Sequence, residues 1–562
     1  MNNRTVKAKN FAANAKFFAF TVLYRQKAYA KICRTGKECW IFNSGTKIAL
    51  IYVTYRRRGN PQSNYILFLR KAVPQERVSY RRQKMNKEKQ NGLNLGMLIA
   101  VIIGSTIGSG IFSSVADMAA KGAHTGAVLV GWGIAGVGMF ALMMSFAGLN
   151  KLRPDLVNGV YSYANEGFGM FIGFNSAWGY WISALLCNVS YVALFFGALG
   201  YFFPVFGEGN NLISIVAGSV AIWICAFLVI KGVKEAAALQ LLVTISKIIP
   251  LIVFALAIVF VKAFKPDVFM ANFWGDGSIP VMDQIKATTG ATVWSFIGVE
   301  GAVVLSGRAK KSSDVGKATV LGFFGLLAIY VMIAALSLGV MPAEEMAELG
   351  NPPLAFILKA AVGEWGAALI NIGVILSLAG ALLGWTIIAA ECAYSASVQG
   401  VFTKIFAKSN ANEAPVASAI ITNAVIQIFL VIMLFSAGTY QLFYNFSASM
   451  IMLPYLLSGA YYAKVTTLKL GMEGYSAGRV ALERFWGYLA TIYGIWMIYS
   501  AGLIYLLVTA ILYALGILVY AYGQKEYGRP IFQKGYEAAL AVVFVILGAI
   551  SVYLLASGSI SL

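Results

Sequence analysis

Apolar segments long enough to cross a lipid bilayer dominate this sequence from Leu95 to its end. A bilayer core requires about 20 mainly apolar residues in a helix, and about thirteen segments reach that length. Their predicted limits are 95–120, 126–149, 171–203, 212–231, 238–263, 286–307, 318–341, 366–390, 417–437, 440–463, 485–500, 502–522 and 538–557. Hydrophobic residues make up 59% of the chain and charged residues 12%, unlike a soluble domain. The sequence therefore predicts an all-α, polytopic membrane protein.

Basic residues are concentrated ahead of these segments. The chain carries a formal net charge of +21, of which residues 1–84 contribute +17 and the remainder only +4. The first 84 residues contain no sustained apolar run and no periodicity typical of a helix or a strand. We therefore divide the chain into a basic leader, 1–84, and a membrane domain, 85–562.

Two interpretations of the leader remain open. Arg81 and Arg82 can be encoded by AGG-AGG, a ribosome-binding sequence a few nucleotides ahead of the Met85 codon. On this interpretation residues 1–84 are upstream DNA read in frame, and Met85 is the native start. The alternative is a genuine basic cytoplasmic arm, disordered by itself, that contacts anionic lipid. Mass spectrometry of the native N-terminus separates the two.

The basic residues of the loops predict an orientation. With a cytoplasmic N-terminus, alternate loops hold nineteen Lys and Arg residues. The opposite loops hold five, namely Lys121, Lys262, Lys265, Lys286 and Lys359. Because loops rich in Lys and Arg stay in the cytoplasm, the N-terminus is predicted inside, and an odd number of spans puts the C-terminus outside.

The first and sixth spans carry glycine at mid-depth. The first contains GSTIGSG from Gly104 to Gly110, and the sixth contains WSFIGVEG from Trp294 to Gly301. Interrupted spans at matching places in two halves indicate an inverted-repeat transporter with its site at the midplane. The alternative is that small residues only permit close helix packing. We expect repeats at 94–263 and 285–463, followed by extra helices at 485–557.

A helix broken in lipid needs polar partners for its freed backbone groups, and an α-amino acid supplies both kinds. Its carboxylate can accept from the N–H groups at the start of the second half-helix. Its ammonium group can donate to freed carbonyls. The predicted contacts are Ser109, Gly110 and Ile111 for the carboxylate, and Thr106, Trp294 and Ile297 for the ammonium group.

From about Asn86 to Leu562, the chain resembles the basic amino acid/polyamine antiporters of the amino acid/polyamine/organocation superfamily. The motifs that carry the resemblance are GSGIF at 108–112, GVYSY at 159–163, Trp294 to Glu300, and GWT at 384–386. The run from Gly298 to Lys311 is most similar to the arginine/ornithine and lysine branch. That branch also has a thirteenth span, whereas the arginine/agmatine relatives commonly have twelve.

The resemblance implies roles for residues on several spans. Contacts to the substrate and its side chain are implied for Asn188, Trp294, Trp385 and Ser447, and an outer gate for Tyr180, Glu300 and Tyr455. Trp385 is also implied as a middle gate that stacks on the aliphatic stem of the substrate. An indole face is the best aromatic platform for a guanidinium or ammonium group, which independently favours the tryptophans.

Two charged residues inside spans each have two interpretations. Glu300 is either a proton-sensitive gate and counter-charge for a cationic substrate, or a structural carboxylate capped by backbone N–H groups. Lys247 is the one Lys or Arg within a span. The resemblance implies that it replaces a sodium ion beside the first break, which makes transport sodium-independent. The alternative is a lysine that snorkels along its helix or pairs with a carbonyl.

These observations predict a secondary transporter that exchanges cationic amino acids by alternating access, with arginine:ornithine antiport first and lysine as an alternative substrate. The close alternatives are exchange for a decarboxylated amine (arginine:agmatine, lysine:cadaverine or histidine:histamine) and a sensor that binds amino acids without transport. A channel is disfavoured because no selectivity loop is visible. An enzyme is disfavoured because no nucleophile–base pair or metal-ligand cluster is visible.

The expected partners follow from this prediction. We expect cationic amino acid substrates (arginine, ornithine, lysine), surrounding membrane lipid and a possible homodimer, with no cofactor, no metal and no nucleic acid. The resemblance places the protein in a bacterial inner membrane.

Overall fold

The chain forms two units, and each is described separately. The computed structural model describes residues 31–34, 38–41, 50–53, 65–68, 95–156, 159–231, 236–300, 312–410, 414–435 and 440–560. Contacts divide the chain into Met1–Asn91 and Gly92–Leu562. Met85 and the predicted boundary after residue 84 lie outside the described residues, so the start at Met85 stays a prediction.

The described part of the first unit consists of four short strands. β1 (Lys31–Arg34) pairs antiparallel with β2 (Glu38–Ile41), and β3 (Leu50–Val53) pairs antiparallel with β4 (Tyr65–Phe68). The sequence pattern did not predict these strands. Four residues are too few for the alternation of apolar and polar side chains to become visible.

All regular secondary structure that the structure describes in the second unit is helical, which confirms the all-α prediction for the membrane domain. Its helices are α1 (Leu95–Thr106), α2 (Gly110–Ala119), α3 (Thr125–Leu152), α4 (Val160–Phe168), α5 (Met170–Gly200), α6 (Leu212–Lys231), α7 (Ala236–Phe260), α8 (Pro266–Met270), α9 (Val281–Ala287), α10 (Thr289–Phe296), α11 (Ser312–Val340), α12 (Ala343–Met346), α13 (Pro353–Val362), α14 (Glu364–Val398), α15 (Val416–Met433), α16 (Tyr440–Thr467), α17 (Ala477–Ser500), α18 (Leu503–Glu526) and α19 (Gly535–Ala556). Short 3₁₀ turns occupy Pro204–Phe206 and Lys404–Ala407.

The helices account for all thirteen predicted spans. Among the described residues, eight helices are long and apolar enough to cross a membrane, namely α3, α5, α6, α11, α14, α15, α18 and α19. Three more helices, α7, α16 and α17, are long enough to cross a membrane. Of these, α16 and α17 are more polar, and part of α7 has side chains that lie outside the description. The first span is divided into α1 and α2, and the described part of the sixth consists of α9 and α10.

The order of elements repeats along the second unit, in agreement with the predicted inverted repeat. Each group of five spans begins with a broken helix, and its third member is the longest: α5 has 31 residues and α14 has 35. In both groups short helices stand between the second and third spans, α4 in the first and α12 with α13 in the second.

Helix packing places the broken segments at the centre. In the apolar window of α5, 89% of the residues are buried, against 17% in α19, so α5 is central and α19 peripheral. α5 packs on α14 and α16, and α7 packs on α1 and α14. At Gly373 of α14, a Cβ would lie 2.5 Å from Pro250 Cγ of α7, so only glycine permits this approach. The approach brings α7 close to the first break.

Candidate functional site

The two interrupted helices meet in the interior of the second unit. α1 ends at Thr106 and α2 begins at Gly110, while α10 ends two residues after Trp294. The indole Nε1 of Trp294 donates to Ser109 Oγ at 3.0 Å. The two predicted breaks are therefore in direct contact. Residues 301–311, which follow the second break, lie outside the described residues.

Glycine is required on both sides of this contact. A Cβ on Gly110 would lie 2.7 Å from Ser295 Oγ and 3.0 Å from Ser295 Cα. A Cβ on Gly108 would collide with the Tyr191 hydroxyl. Gly298 has a φ of 103°, in the region that other residues rarely adopt. The glycines thus allow both the close approach of the half-helices and the turn at the second break.

The carbonyls freed by the first break have donors within the protein. Three consecutive carbonyl oxygens are each approached by a side chain from a different helix. The contacts are Lys247 Nζ to Ile107 O at 2.9 Å, Ser377 Oγ to Gly108 O at 3.4 Å, and Tyr330 Oη to Thr106 O at 3.5 Å. The single hydrogen of the Tyr330 hydroxyl is donated to the Ser295 carbonyl of the second break, its closer contact at 2.7 Å. These contacts reduce the free energy of leaving a backbone acceptor bare in the interior.

The backbone N–H groups on the other side of the break have no such partners. In the described part of the chain, the N–H groups of Ser109, Gly110 and Ile111 donate to no carbonyl. They stand at the beginning of α2, the positive end of the helix dipole. α10 presents its carboxyl end at the same place, since Trp294 contacts Ser109. The site therefore combines free donors on α2 with the negative end of α10.

A group of hydroxyls surrounds Trp294 beside the break. Tyr440 Oη lies 3.0 Å from Ser109 Oγ, 3.0 Å from Ser113 Oγ and 3.1 Å from Trp294 Nε1. The rings of Tyr191 and Tyr444 flank the indole, with centroids 5.6 and 5.5 Å away. Aromatic faces and hydroxyls thus line the contact between α2, α10 and α16.

The three predicted gate residues lie in contact with one another. Tyr180 Oη donates to Glu300 Oε1 at 2.8 Å, and Tyr455 Oη donates to Glu300 Oε2 at 2.7 Å. The N–H of Gly298 also donates to Oε2 at 3.2 Å. Three donors stabilise an ionised carboxylate and also cap it structurally, so the geometry agrees with both interpretations of Glu300. Its role as a gate stays a prediction.

Lys247 reaches the first break from α7. Its side chain is 2% exposed, and the ammonium group donates to the Ile107 carbonyl. A snorkelling lysine would extend towards the end of its helix, which this geometry excludes. The contact with the break is the one that a substitute for a sodium ion requires. It is also a pairing with a carbonyl, so the role stays a prediction.

The other predicted substrate contacts differ in their surroundings. Asn188 is fully buried, and its Oδ1 accepts no hydrogen bond within the described residues. Trp385 is 4% exposed, and the position of a Cβ on the adjacent Gly384 has no heavy atom within 4 Å. Ser447 donates instead to the Ser183 carbonyl at 2.7 Å, in the contact between α5 and α16. Of the three, Asn188 offers a free acceptor, while the Ser447 hydroxyl already has a partner.

Sequence reasoning missed the residues that complete the site from α16 and α11. Tyr440, Tyr444 and Tyr330 have no distinguishing motif, because tyrosines are common at span ends. One signal was available: Tyr440 and Tyr444 are four residues apart and share a helix face. On that face, Tyr440 contacts both Ser109 and Ser113, which are also four residues apart.

A second polar network lies where α3 ends, at the opposite end of that helix from α2. Arg153 donates to Asp155 Oδ2 at 2.8 Å and Glu166 Oε1 at 3.2 Å, and it also contacts the Tyr461 hydroxyl of α16. The Arg153 guanidinium lowers the pKa of the Asp155 carboxyl below its usual value. This network joins the ends of α3, α4 and α16.

The second unit has two broken helices at matching places in two groups of five spans. The half-helix ends that meet there have opposite polarity. These features define a secondary transporter of the inverted-repeat class. The family of the chain follows from its sequence. The model of the amino acid permease family matches residues 93–466, and the chain belongs to that family.

The chain is similar to two groups of antiporters. It is 42% identical over 487 residues to the arginine/ornithine antiporter of Pseudomonas aeruginosa, covering 85% of this chain and 100% of the relative. It is 38% identical over 480 residues to the arginine/agmatine antiporter of Chlamydia caviae, covering 84% and 98%. These relatives are transporters, which confirms the prediction that the chain is not an enzyme.

Among solved structures, the chain matches Mhp1, a nucleobase-cation-symport-1 family transporter in a closed conformation with bromovinylhydantoin bound. The match has a TM-score of 0.47 and 14% sequence identity, and it covers 80% of this chain and 96% of that chain. At this distance the match says nothing about the substrate.

The carboxylate of Glu300 generates the first prediction. In Glu300→Gln the amide oxygen can still accept from one tyrosine and the amide NH2 can donate to the hydroxyl of the other, while the charge is lost. We expect the half-saturation concentration for arginine to rise about tenfold, equivalent to about 1.4 kcal/mol, and that for citrulline, its uncharged analogue, to stay unchanged. Exchange in proteoliposomes measures both values.

Glu483→Gln is the matched control for Glu300→Gln. Glu483 is also buried and also accepts from a tyrosine, Tyr462, at 2.7 Å, but it lies on α17 outside both groups of five spans. An equal loss for arginine and citrulline in Glu300→Gln would show that the carboxylate is structural.

Lys247 generates the second prediction. Lys247→Met leaves the Ile107 carbonyl without its donor, which costs about 1–3 kcal/mol for a buried acceptor. We expect exchange by the wild type to be the same in sodium and choline buffers, and exchange by Lys247→Met to fall at least tenfold, with a lower melting temperature. Lys262→Met, at an exposed position, is the control. Sodium-dependent exchange by the wild type would contradict the role given to Lys247.

Proposed function

We propose that this protein exchanges cationic amino acids across a membrane by alternating access, with arginine and ornithine as its first pair. One observation carries the proposal. At the first break the freed carbonyls have side-chain donors, whereas the N–H groups of Ser109, Gly110 and Ile111 have no acceptor within the described residues. The site therefore lacks an anion, and a carboxylate supplies one.

The second break supports an amino acid over another carboxylate. α10 directs the negative end of its dipole towards the same place, which favours a cation there. The Trp294 carbonyl already accepts from the Ile297 N–H at 3.3 Å, and the Thr106 carbonyl is approached by Tyr330. The carbonyl of Ile297 accepts no hydrogen bond among the described residues, so it is the acceptor we assign to the α-ammonium group.

Aromatic and acidic side chains near the breaks favour a cationic side chain. Trp294 is buried between two tyrosine rings, and a desolvated guanidinium or ammonium group over an indole gains about 2 kcal/mol. Trp385 on α14 offers a second indole. Glu300 adds a buried carboxylate beside the second break. Together they select arginine, ornithine or lysine over neutral amino acids.

The identity of the counter-substrate rests on the relatives. The Pseudomonas aeruginosa relative is named for arginine and ornithine at 42% identity, and the Chlamydia caviae relative for arginine and agmatine at 38%. Arginine is common to both. Ornithine is our first choice, and agmatine is the second candidate because the second relative is almost as similar.

The distribution of basic residues supports an orientation. With the N-terminus in the cytoplasm, nineteen Lys and Arg residues lie in cytoplasmic loops and five lie outside. The network around Arg153 then lies on the cytoplasmic side, and the loop after α2 lies outside. We place the protein in the inner membrane of a bacterium, with its C-terminus outside.

The decisive experiment measures counterflow of labelled arginine into proteoliposomes loaded with ornithine, agmatine, lysine or buffer alone. Uptake is compared with and without a potassium diffusion potential set by valinomycin. Arginine and ornithine carry the same charge, so their exchange moves no net charge, whereas exchange of arginine for agmatine moves one. We expect rapid uptake with ornithine inside and no response to the potential.

Each other result identifies an alternative. Uptake that requires internal agmatine and responds to the potential indicates the amine exchanger. Binding of arginine to the purified protein without any counterflow indicates a sensor. Uptake into liposomes without internal amino acid would contradict obligatory exchange.

A further inference from the structure

A polar stripe runs along α2, away from the first break. Ser109, Ser113 and Asp117 follow one another at intervals of four residues from the N-cap of α2, so they lie on one face of the helix. Lys121 follows four residues later, in the turn after the helix ends at Ala119. All four contact residues of α16: Ser109 and Ser113 meet Tyr440, Asp117 meets Gln441, and Lys121 meets Asn445. The proposed function uses only the first member of this stripe.

Asp117 is a buried carboxylate with acceptor capacity to spare. The residue is 4% exposed, and its Oδ1 accepts from Gln441 Nε2 at 3.2 Å. Its Oδ2 has no hydrogen-bond partner of good geometry in the part of the chain that the structure describes. The hydroxyls of Ser113 and Tyr444 flank the carboxyl group. The Tyr444 hydroxyl is also without a partner of good geometry there.

The nearest basic residue does not neutralise Asp117 by contact. Lys121 Nζ donates to Asn445 Oδ1 at 2.7 Å. It also lies 5.8 and 5.4 Å from the ring centroids of Tyr444 and Tyr505. Among the ion pairs of the described residues, none joins Lys121 to Asp117. The Asp117 carboxylate and the Lys121 ammonium group thus lie in the same low-dielectric region and attract each other, but each forms its hydrogen bonds with other residues.

Asp117 differs in this respect from Glu300. Both oxygens of Glu300 accept from nearby donors, two of them tyrosine hydroxyls at 2.8 and 2.7 Å. Of the two carboxylates close to the breaks, Asp117 is the one with an oxygen that has no hydrogen bond of good geometry among the described residues. Along the stripe, Asp117 lies between the end of α2 and the first break.

The distance along α2 separates this carboxylate from the site at the breaks. Asp117 follows Gly110 by seven residues, or about 10 Å at the rise of an α-helix. One amino acid held by the N–H groups at Gly110 does not occupy both places. The stripe leads to the end of α2. Nearby, the beginning of α3 meets the loop before α9, where the N–H of Gly126 donates to the Phe273 carbonyl at 2.7 Å.

We propose that Asp117 forms a separate outer binding site, which holds the guanidinium or side-chain ammonium group of a basic amino acid on its way between the outside and the breaks. Lys121 is the protein's own cation at this site. An incoming cation competes with Lys121 for electrostatic attraction to Asp117. The Tyr444 hydroxyl and Gln441 supply polar contacts to the ligand. This inference rests on the proposed function and on its orientation.

The test measures arginine exchange from each side of the membrane, in right-side-out and inside-out vesicles loaded with ornithine. In Asp117→Asn we expect the external half-saturation concentration for arginine to rise about tenfold, with the internal value and the maximal rate within a factor of two. In Lys121→Gln we expect the external value to fall severalfold, because the competing cation is gone. Asp117→Glu, which keeps the charge, should return the external value towards that of the wild type.

Asp283→Asn is the matched control, since Asp283 lies on the same side of the protein but its side chain is 54% exposed and pairs with Lys286. It should leave both values unchanged. Opposite shifts in Asp117→Asn and Lys121→Gln support the outer site, because a purely structural stripe would be weakened by both changes. An unchanged external value in Asp117→Asn, or a rise in both variants, overturns it. If the wild type itself exchanges no arginine, the proposed function fails instead.

Discussion

The structure depends on how a helix can be broken inside a membrane. Each freed backbone group loses several kcal/mol of solvation in lipid, unless another polar group replaces water. At the first break Lys247 and Ser377 donate to the carbonyls of Ile107 and Gly108, and the Tyr330 hydroxyl lies beside the Thr106 carbonyl, so side chains from three helices meet three successive carbonyls. The N–H groups that follow have no such partner among the described residues. Because the carbonyls have partners and the N–H groups do not, the break in the helix becomes a binding site for an anion. The side chains that meet the carbonyls also require α7, α11 and α14 to lie beside the break.

Selectivity for a cationic side chain requires a second element, because the breaks recognise only the head group. The structure supplies two carboxylates with different surroundings. Glu300 is held by Tyr180 and Tyr455, so its position is fixed by contacts from α5 and α16. Asp117 accepts from Gln441 and is flanked by the hydroxyls of Ser113 and Tyr444, but its Oδ2 has no hydrogen bond of good geometry among the described residues, so it can accept a ligand. A carboxylate held by several hydrogen bonds, such as that of Glu300, suits a gate. A carboxylate with fewer hydrogen bonds, such as that of Asp117, suits transient binding of a ligand.

Much of this arrangement could be predicted from the sequence. Glycine and length predicted the broken spans, whereas only the family resemblance implied that Lys247 lies beside the first break. The contacts across the bundle could not be predicted, since Tyr440 is 331 residues from Ser109 and no local pattern links them. Ser447 shows the same limit: its motif implied a substrate contact, but its hydroxyl bonds to Ser183. The strands of the first unit are too short to produce a pattern.

The position of one hydroxyl has a further consequence. Tyr440 Oη lies within 3.1 Å of two serine hydroxyls and one indole N–H, yet it carries a single hydrogen. The single N–H of Trp294 is shared between Tyr440 and Ser109, and the hydrogen of Tyr440 can be donated to Ser109 or to Ser113, but not to both at once. Whichever serine receives that hydrogen leaves the other free to bond elsewhere. A ligand that engages Ser109 therefore competes with Tyr440 for that hydroxyl, and Tyr440 can answer by turning its hydrogen to Ser113, a change that needs only the rotation of hydroxyl groups.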